Sequence, residues 1–479
     1  MSRELLKQLG YIDGRWVAAE RGATVPVTNP ATGEVIATVP DMGASETRCA
    51  VEAAKRAMKP WAVRPAGERA RVLRRFYELM MNERDALAEL LTCEQGKPLR
   101  EAKGEIAYAA SYIEWFAEEA KRSYGDVIPG HTADKRIVVL KQPVGVVGAI
   151  TPWNFPSAMI TRKIGPALAA GCGVVLKPAP QTPLSALALA SLARQAGLPE
   201  GALQVVTGDA ATLGSVMTQD PRVAFLSFTG STATGRLLYA QCADTIKKLG
   251  LELGGHAPFI VMADADIDKA ATAAVAAKFR NSGQTCVCPN RFFIHDSIYD
   301  DFLGRFLEQV GRLVPGDGRD PLSTLGPLID EAALAKLERH VADALANGAR
   351  LTRGGRRAAI GRTWYEATVI EDVDSTMLVS CEETFGPVAA LTRFRDLDEV
   401  KSSINASQYG LAGYIWGRDI SVLLRTAETL DLGMVGINAI HLGLEMAPIG
   451  GVKQSGLGRE GGHAGILEYC EPQYLLVAV

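Results

Sequence analysis

Apolar positions recur at helical spacing between residues 67 and 124, where Val72, Leu73, Phe76, Leu79 and Met80 are interleaved with Ala, Glu, Arg and Lys. That spacing gathers them on one face, so the stretch predicts a helical layer. From residue 136 the period changes. Short apolar runs at 137–140, 144–150, 173–176, 203–206 and 224–228 predict strands, and residues 183–196 and 210–218 predict helices between them. Strands alternating with helices imply a mostly parallel sheet covered on both faces. A second α/β series follows residue 254, with strands at 257–262 and 291–295 flanking a helix at 266–280. Residues 315–327 and 348–362, rich in Gly, Pro and charge, predict surface loops. The tail at 469–479 reads as a closing strand with 136–140 as its partner, and such strands often complete a sheet in a neighbouring subunit.

A chain of 479 residues exceeds one simple core and predicts two or three domains of an α/β protein. With a net charge of −3 and scattered Lys and Arg, no surface is built to track phosphates, which excludes nucleic acid and points to a small-molecule partner. Residues 1–16 mix Arg3, Glu4, Lys7, Asp13 and Arg15 with apolar residues, so no signal peptide is expected. No apolar run reaches membrane-spanning length either. Eight cysteines without C-x-x-C spacing predict neither a disulfide scaffold nor a metal site, and place the chain in the cytoplasm.

Two residues stand out for chemistry. Cys286, in Gly283-Gln284-Thr285-Cys286, follows a helical run, where a glycine turn can open a thiol to a cleft. Glu252 ends an apolar strand and precedes two glycines, a position from which a general base can face a cleft while the backbone approaches closely. Taken singly, each has an ordinary reading: a buried small hydrophobe for the cysteine and a surface or ion-paired carboxylate for the glutamate. Phe228-Thr229-Gly230-Ser231 leads from a strand into a helix whose first N–H groups could meet a pyrophosphate, although it is not G-x-G-x-x-G. Lys177 ends another strand, where a doubly wound sheet presents ligand contacts.

These segments, with Thr151-Pro152-Trp153-Asn154-Phe155-Pro156, Lys177-Pro178-Ala179, Glu252-Leu253-Gly254-Gly255, Glu382-Glu383-Thr384-Phe385-Gly386-Pro387 and Ser455-Gly456-Leu457-Gly458-Arg459-Glu460, resemble the aldehyde dehydrogenase superfamily in family order over essentially the whole chain. The resemblance implies a Rossmann-like dinucleotide-binding domain at residues 1–120 and 141–253 and an α/β catalytic domain at 254–446. It adds a small β oligomerisation extension at 121–140 and 467–479, and a homotetramer built from dimers. It further implies that Cys286 attacks an aldehyde, with the oxyanion held by Asn154 and the Cys286 N–H, and that Glu252 activates the water that hydrolyses the thioester. Trp153, Lys177, Gly230, Ser231, Glu383 and Phe385 would contact the cofactor. Pro180 stands where NAD-preferring members often carry a Glu; it neither repels nor binds a 2′-phosphate, so both NAD and NADP are expected.

Within the superfamily the likeness is to the succinate semialdehyde dehydrogenases, carried by Ile160-Thr161-Arg162-Lys163 and by residues 278–288. In that group arginines at the positions of Arg162 and Arg280 bind the carboxylate at the far end of the substrate, which predicts an anionic tail on the aldehyde. The group's serine is replaced by Gly443 in a loop that also brings His441. The expected result is more room, with sulfolactaldehyde and glutarate semialdehyde as alternative substrates and His441 as a further contact. The resemblance also implies a Cys286–Cys288 oxidation switch, as in some members. Two competing readings are a CoA-acylating enzyme, against which Glu252 argues because that chemistry needs no hydrolytic base, and a non-catalytic binding protein on the same scaffold.

Overall fold

The computed structural model describes residues 5–479, so Arg3 and Glu4 of the charged N-terminus lie outside the described residues. Its first sheet has eight strands in the order Gly456–Leu457, Lys248–Glu252, Val223–Thr229, Val146–Ile150, Gly173–Lys177, Leu203–Val205, Gly10–Ile12 and Arg15–Val17. The five from Lys248–Glu252 to Leu203–Val205 run parallel. Val146–Ile150 and Gly173–Lys177 are buried at every position, as continuous apolar runs in a doubly covered parallel sheet should be. The chain builds outward from Val146–Ile150 in one direction and then resumes at Val223–Thr229 on its other side. That reversal opens a crevice at the carboxyl ends of those two strands.

The expected helical layer is three helices, Ala66–Asn82, Arg84–Gln95 and Leu99–Glu119, the second ended by Gly96 in a left-handed conformation. The predicted helix after residue 266 is Ile267–Phe279, capped by the Asp266 side chain accepting from Lys269 N. It flanks a seven-stranded sheet in the order Arg350–Arg353, Thr368–Glu371, Val388–Phe394, Pro289–His295, Ala257–Val261, Ala412–Trp416 and Met434–Ile437. Arg350–Arg353 corrects the expected loop over 348–362: it is an antiparallel edge strand, mostly exposed, so it carries no alternation of apolar and polar positions.

The closing strand Cys470–Ala478 pairs antiparallel with Lys135–Pro143 of its own chain, register Gln473 to Leu140, and Asp126–Pro129 completes a three-stranded sheet. Val127 and Tyr474 on it are more than two-thirds exposed. Among the described residues no helix is long and apolar enough to cross a membrane.

Candidate active site

Cys286 is aimed by a latched loop. After Phe279 the backbone passes through three consecutive left-handed residues, Asn281, Ser282 and Gly283, two of them non-glycine and therefore strained. Side-chain bonds hold that turn: Glu101 accepts from Asn281 N (2.8 Å), Ser282 Oγ donates to Gly326 O (2.7 Å) and Gln284 Oε1 accepts from Ile329 N (3.0 Å). Asn154 joins the latch, its side-chain amide donating to Gln284 O at 3.1 Å while its backbone carbonyl accepts from Lys97 Nζ (2.7 Å) and Asn281 Nδ2 (3.0 Å). Beneath it lies a buried ion pair, Lys97 with Glu105, whose second oxygen accepts from Ser157 N at 2.9 Å and so caps the helix Ala158–Ala170.

Two glycines bring the elements together. A Cβ on Gly255 would lie 2.2 Å from the Cys286 carbonyl oxygen, and one on Gly283 2.2 Å from Gly386 O. The backbone of Glu252-Leu253-Gly254-Gly255 thus touches the cysteine loop, and the Gly255 N–H donates to Glu383 Oε1 at 2.9 Å.

Cys286 is half-buried and opens, with Glu252, Thr229, Thr285, Arg162, Arg280, His441 and Gly443, onto one cavity of about 400 Å³. Burial pushes its thiol up to about 12 against the pull of the Arg162 cation, and the Glu383 and Glu252 carboxylates add to the rise. Glu252 is pushed up to about 8 by burial and by the neighbouring Glu460 carboxylate. Glu460 itself, although burial opposes its charge, is held below the usual range by Lys163 and Arg162, at 2.6 and 2.7 Å. Two cations therefore share one ionised carboxylate. Arg162 is buried, whereas Arg280 is exposed with its guanidinium carbon 5.4 Å from the Phe155 ring centre.

Buried hydroxyls without partners mark the crevice. Thr151 and Thr229 at neighbouring strand ends, and Thr285 beside the cysteine, have Oγ1 atoms with no hydrogen bond, as has Glu252 Oε1. Such groups call for a ligand or solvent. Lys177 is buried at its strand end, where burial pulls its ammonium down to about 8. Ser231 caps the helix Thr232–Gln241, accepting from Thr234 N, and Gly230 N donates to Glu252 O. Trp153 and Phe385 meet edge to face at 5.6 Å, Phe385 in a left-handed conformation. Glu383, pushed up to about 7 by burial, sits by Gly254. Pro180 is exposed, so no carboxylate stands at that point. These residues fit a dinucleotide laid along the crevice.

Three features differ from expectation or escaped it. The room expected at Gly443 is taken: a Cβ there would lie 2.5 Å from the Tyr108 hydroxyl oxygen. Cys288 is buried with its thiol on Lys278, donating to Lys278 O at 3.4 Å. The Leu99–Glu119 helix also contributes Glu101, Glu105 and Tyr108 to the cavity wall, and a spacing of four and three on one helix face was the signal for them.

The aldehyde dehydrogenase family model matches residues 16–475. The chain is 56% identical over 472 residues to the glutarate-semialdehyde dehydrogenase of Pseudomonas aeruginosa, covering 98% of each. It is 55% identical over 475 residues to the NADP(+) succinate-semialdehyde dehydrogenase GabD of Escherichia coli K12, covering 99% of this chain and 98% of that one. To the 3-sulfolactaldehyde dehydrogenase of Pseudomonas putida it is 55% identical over 471 residues, covering 98% and 97%. The crystal structure of succinate-semialdehyde dehydrogenase from Burkholderia pseudomallei superposes with a TM-score of 0.99 at 56% identity, over 100% of this chain and 99% of that one. Likeness of this extent, in sequence and in fold, makes the chain a member of the aldehyde dehydrogenase family and an NAD(P)-dependent enzyme.

Proposed function

We propose that the enzyme oxidises a short aldehyde with an anionic tail to the carboxylate, in the manner of a succinate-semialdehyde dehydrogenase. One observation carries this reading: a single cavity of about 400 Å³ is walled by Cys286 and Glu252 and also by Arg162, Arg280 and His441. A chain with a carbonyl at one end and an oxyanion at the other spans such a cavity. Glutarate semialdehyde and 3-sulfolactaldehyde share this chemistry, and both appear in the names of relatives.

In this mechanism Cys286 sulfur bonds to the carbonyl carbon, and the thiol proton passes to the Glu252 carboxylate on the same cavity and from there to solvent, since burial keeps the resting thiol protonated. The Asn154 amide and the Cys286 N–H hold the developing oxyanion. When bound, an oxidised nicotinamide would supply the acceptor for the aldehyde hydrogen, which leaves as hydride as the Cys286 adduct becomes the thioester. Lys177, Gly230 and Ser231 hold the adenosine and pyrophosphate end, Trp153 flanks the cofactor site, and Glu383 and Phe385 position the nicotinamide end. Without a carboxylate at Pro180, both NAD and NADP are accepted. Glu252 takes a proton from water, hydroxide attacks the thioester carbon, and the carboxylate departs as Cys286 recovers its proton.

Residues 1–120 and 141–253 act as the dinucleotide-binding domain, 254–446 as the catalytic domain, and 121–140 with 467–479 as the oligomerisation segment of a cytoplasmic homotetramer. The exposed apolar side chains of the three-stranded sheet support the last assignment, and eight free cysteines suit a reducing compartment. Sedimentation velocity of the intact protein tests the subunit number.

Steady-state rates on succinate semialdehyde, glutarate semialdehyde, 3-sulfolactaldehyde and neutral aldehydes, with each cofactor, test the function. Preference for the anionic set that collapses in Arg280→Ala and Arg162→Ala is expected. Equal losses on anionic and neutral aldehydes would remove the anion site.

A further inference from the structure

Gly443 lacks a side chain, yet the space beside it is filled by Tyr108: its hydroxyl oxygen lies 2.5 Å and its ring carbon 3.2 Å from where a Cβ on Gly443 would be. Both residues line the cavity that holds Cys286, Arg162 and Arg280. One turn further along the Leu99–Glu119 helix, Tyr112 is fully buried, with its hydroxyl oxygen 3.1 Å from that of Tyr108. The Arg162 guanidinium carbon lies 5.7 Å from the centre of the Tyr112 ring. One helix face thus carries a pair of hydroxyls and backs the buried cation.

Burial keeps the Tyr112 phenol protonated, pushing its pKa well above the ordinary value. When Tyr112 donates to Tyr108, the Tyr108 proton is left over for the cavity. A hydroxyl chain that ends on an anion strengthens each bond along it.

We propose that Tyr108 is a specificity-determining residue whose hydroxyl donates to the anionic tail of the aldehyde, and that position 443 must be glycine because any side chain there displaces that hydroxyl. The proposal rests on the anionic-tail reading and assigns the tail's hydroxyl donor to the helical layer instead of the 441–445 loop.

Tyr108→Phe, Gly443→Ser and the double variant test it, assayed on succinate semialdehyde and on butanal, a neutral aldehyde of the same chain length. In Tyr108→Phe the ratio of kcat/KM on the semialdehyde to that on butanal falls about tenfold, equivalent to about 1.4 kcal/mol, with the change in KM and not in kcat. Gly443→Ser loses at least as much, since serine and phenol cannot share the space. The double variant recovers most of the ratio, because the serine hydroxyl then has room. An unchanged ratio in Tyr108→Phe, or a double variant no better than Gly443→Ser, overturns the proposal. Should Gly443→Ser fail to fold, Tyr108→Phe, which removes a single oxygen, decides alone. Arg280→Ala separates the two levels: if it abolishes the anionic preference while Tyr108→Phe does nothing, only the Tyr108 role falls; if it too leaves the preference intact, the anionic-tail reading falls with it.

Discussion

Gly255 and Cys286 are in backbone contact: the glycine Cα faces the cysteine carbonyl so closely that a methyl group there would sit 2.2 Å from the oxygen. Neither partner is a flexible side chain that could swing away. Gly255→Ala therefore displaces the nucleophile loop, and a shift of about 1 Å lowers a rate by about a hundredfold. The expected variant keeps its far-UV circular dichroism and binds cofactor but loses kcat on every aldehyde alike. Wild-type rates in Gly255→Ala would show that the contact does not set the position of the sulfur.

The pH profile should carry the mark of Glu252. A carboxyl pushed up to about 8 is mostly protonated at neutral pH and gains its basic form as pH rises. The hydrolytic step therefore climbs about tenfold per pH unit below that value and levels off above it. Glu252→Gln should lose this limb together with most of the turnover. A flat profile from the ordinary glutamate range upward would exclude Glu252 as the base of the slow step.

The Lys97–Glu105 pair is a stability element with a catalytic output. Both side chains are essentially without solvent contact, at 0% and 1% exposure, so removing one charge strands the other. Glu105→Gln should destabilise the fold by about 3 kcal/mol, measured by urea unfolding. It also loosens the cap on Ala158–Ala170 and the hold on Asn154, so kcat should fall beyond what the loss of folded protein explains. A variant with unchanged midpoint and kcat would show that the pair supports neither.

Pro180 offers the cleanest handle on cofactor choice, because its side chain is exposed. Pro180→Glu adds a carboxylate that repels a 2′-phosphate, and kcat/KM with NADP should fall at least tenfold relative to NAD. An unchanged ratio would place the 2′-position elsewhere.

Fully buried strands such as Gly173–Lys177 were legible because they are uninterrupted apolar runs between turn residues. The Ala158–Ala170 helix was not, since burial on every side erases the amphipathic period that identifies a helix. Arg350–Arg353 escaped for the opposite reason, being exposed at a sheet edge. Motif residues such as Cys286 and Glu252 could be singled out in the chain, but contacts like Tyr108 with Gly443 join segments too far apart for any local pattern to link them. The orphaned hydroxyls of Thr151, Thr229 and Thr285 are equally invisible in sequence, because threonine in a strand or turn needs no special reason.

Glu460 pairs with both Arg162 and Lys163 and lies 297 positions after Lys163 in the chain, and Ser455 O accepts from Leu253 N beside the proposed base. On the ribosome, then, nearly every other part of the pocket is synthesised before its counter-charge has left the exit tunnel. Until then Arg162 and Lys163 lack the carboxylate they share in the folded chain, so the catalytic pocket is among the last parts of the molecule to close.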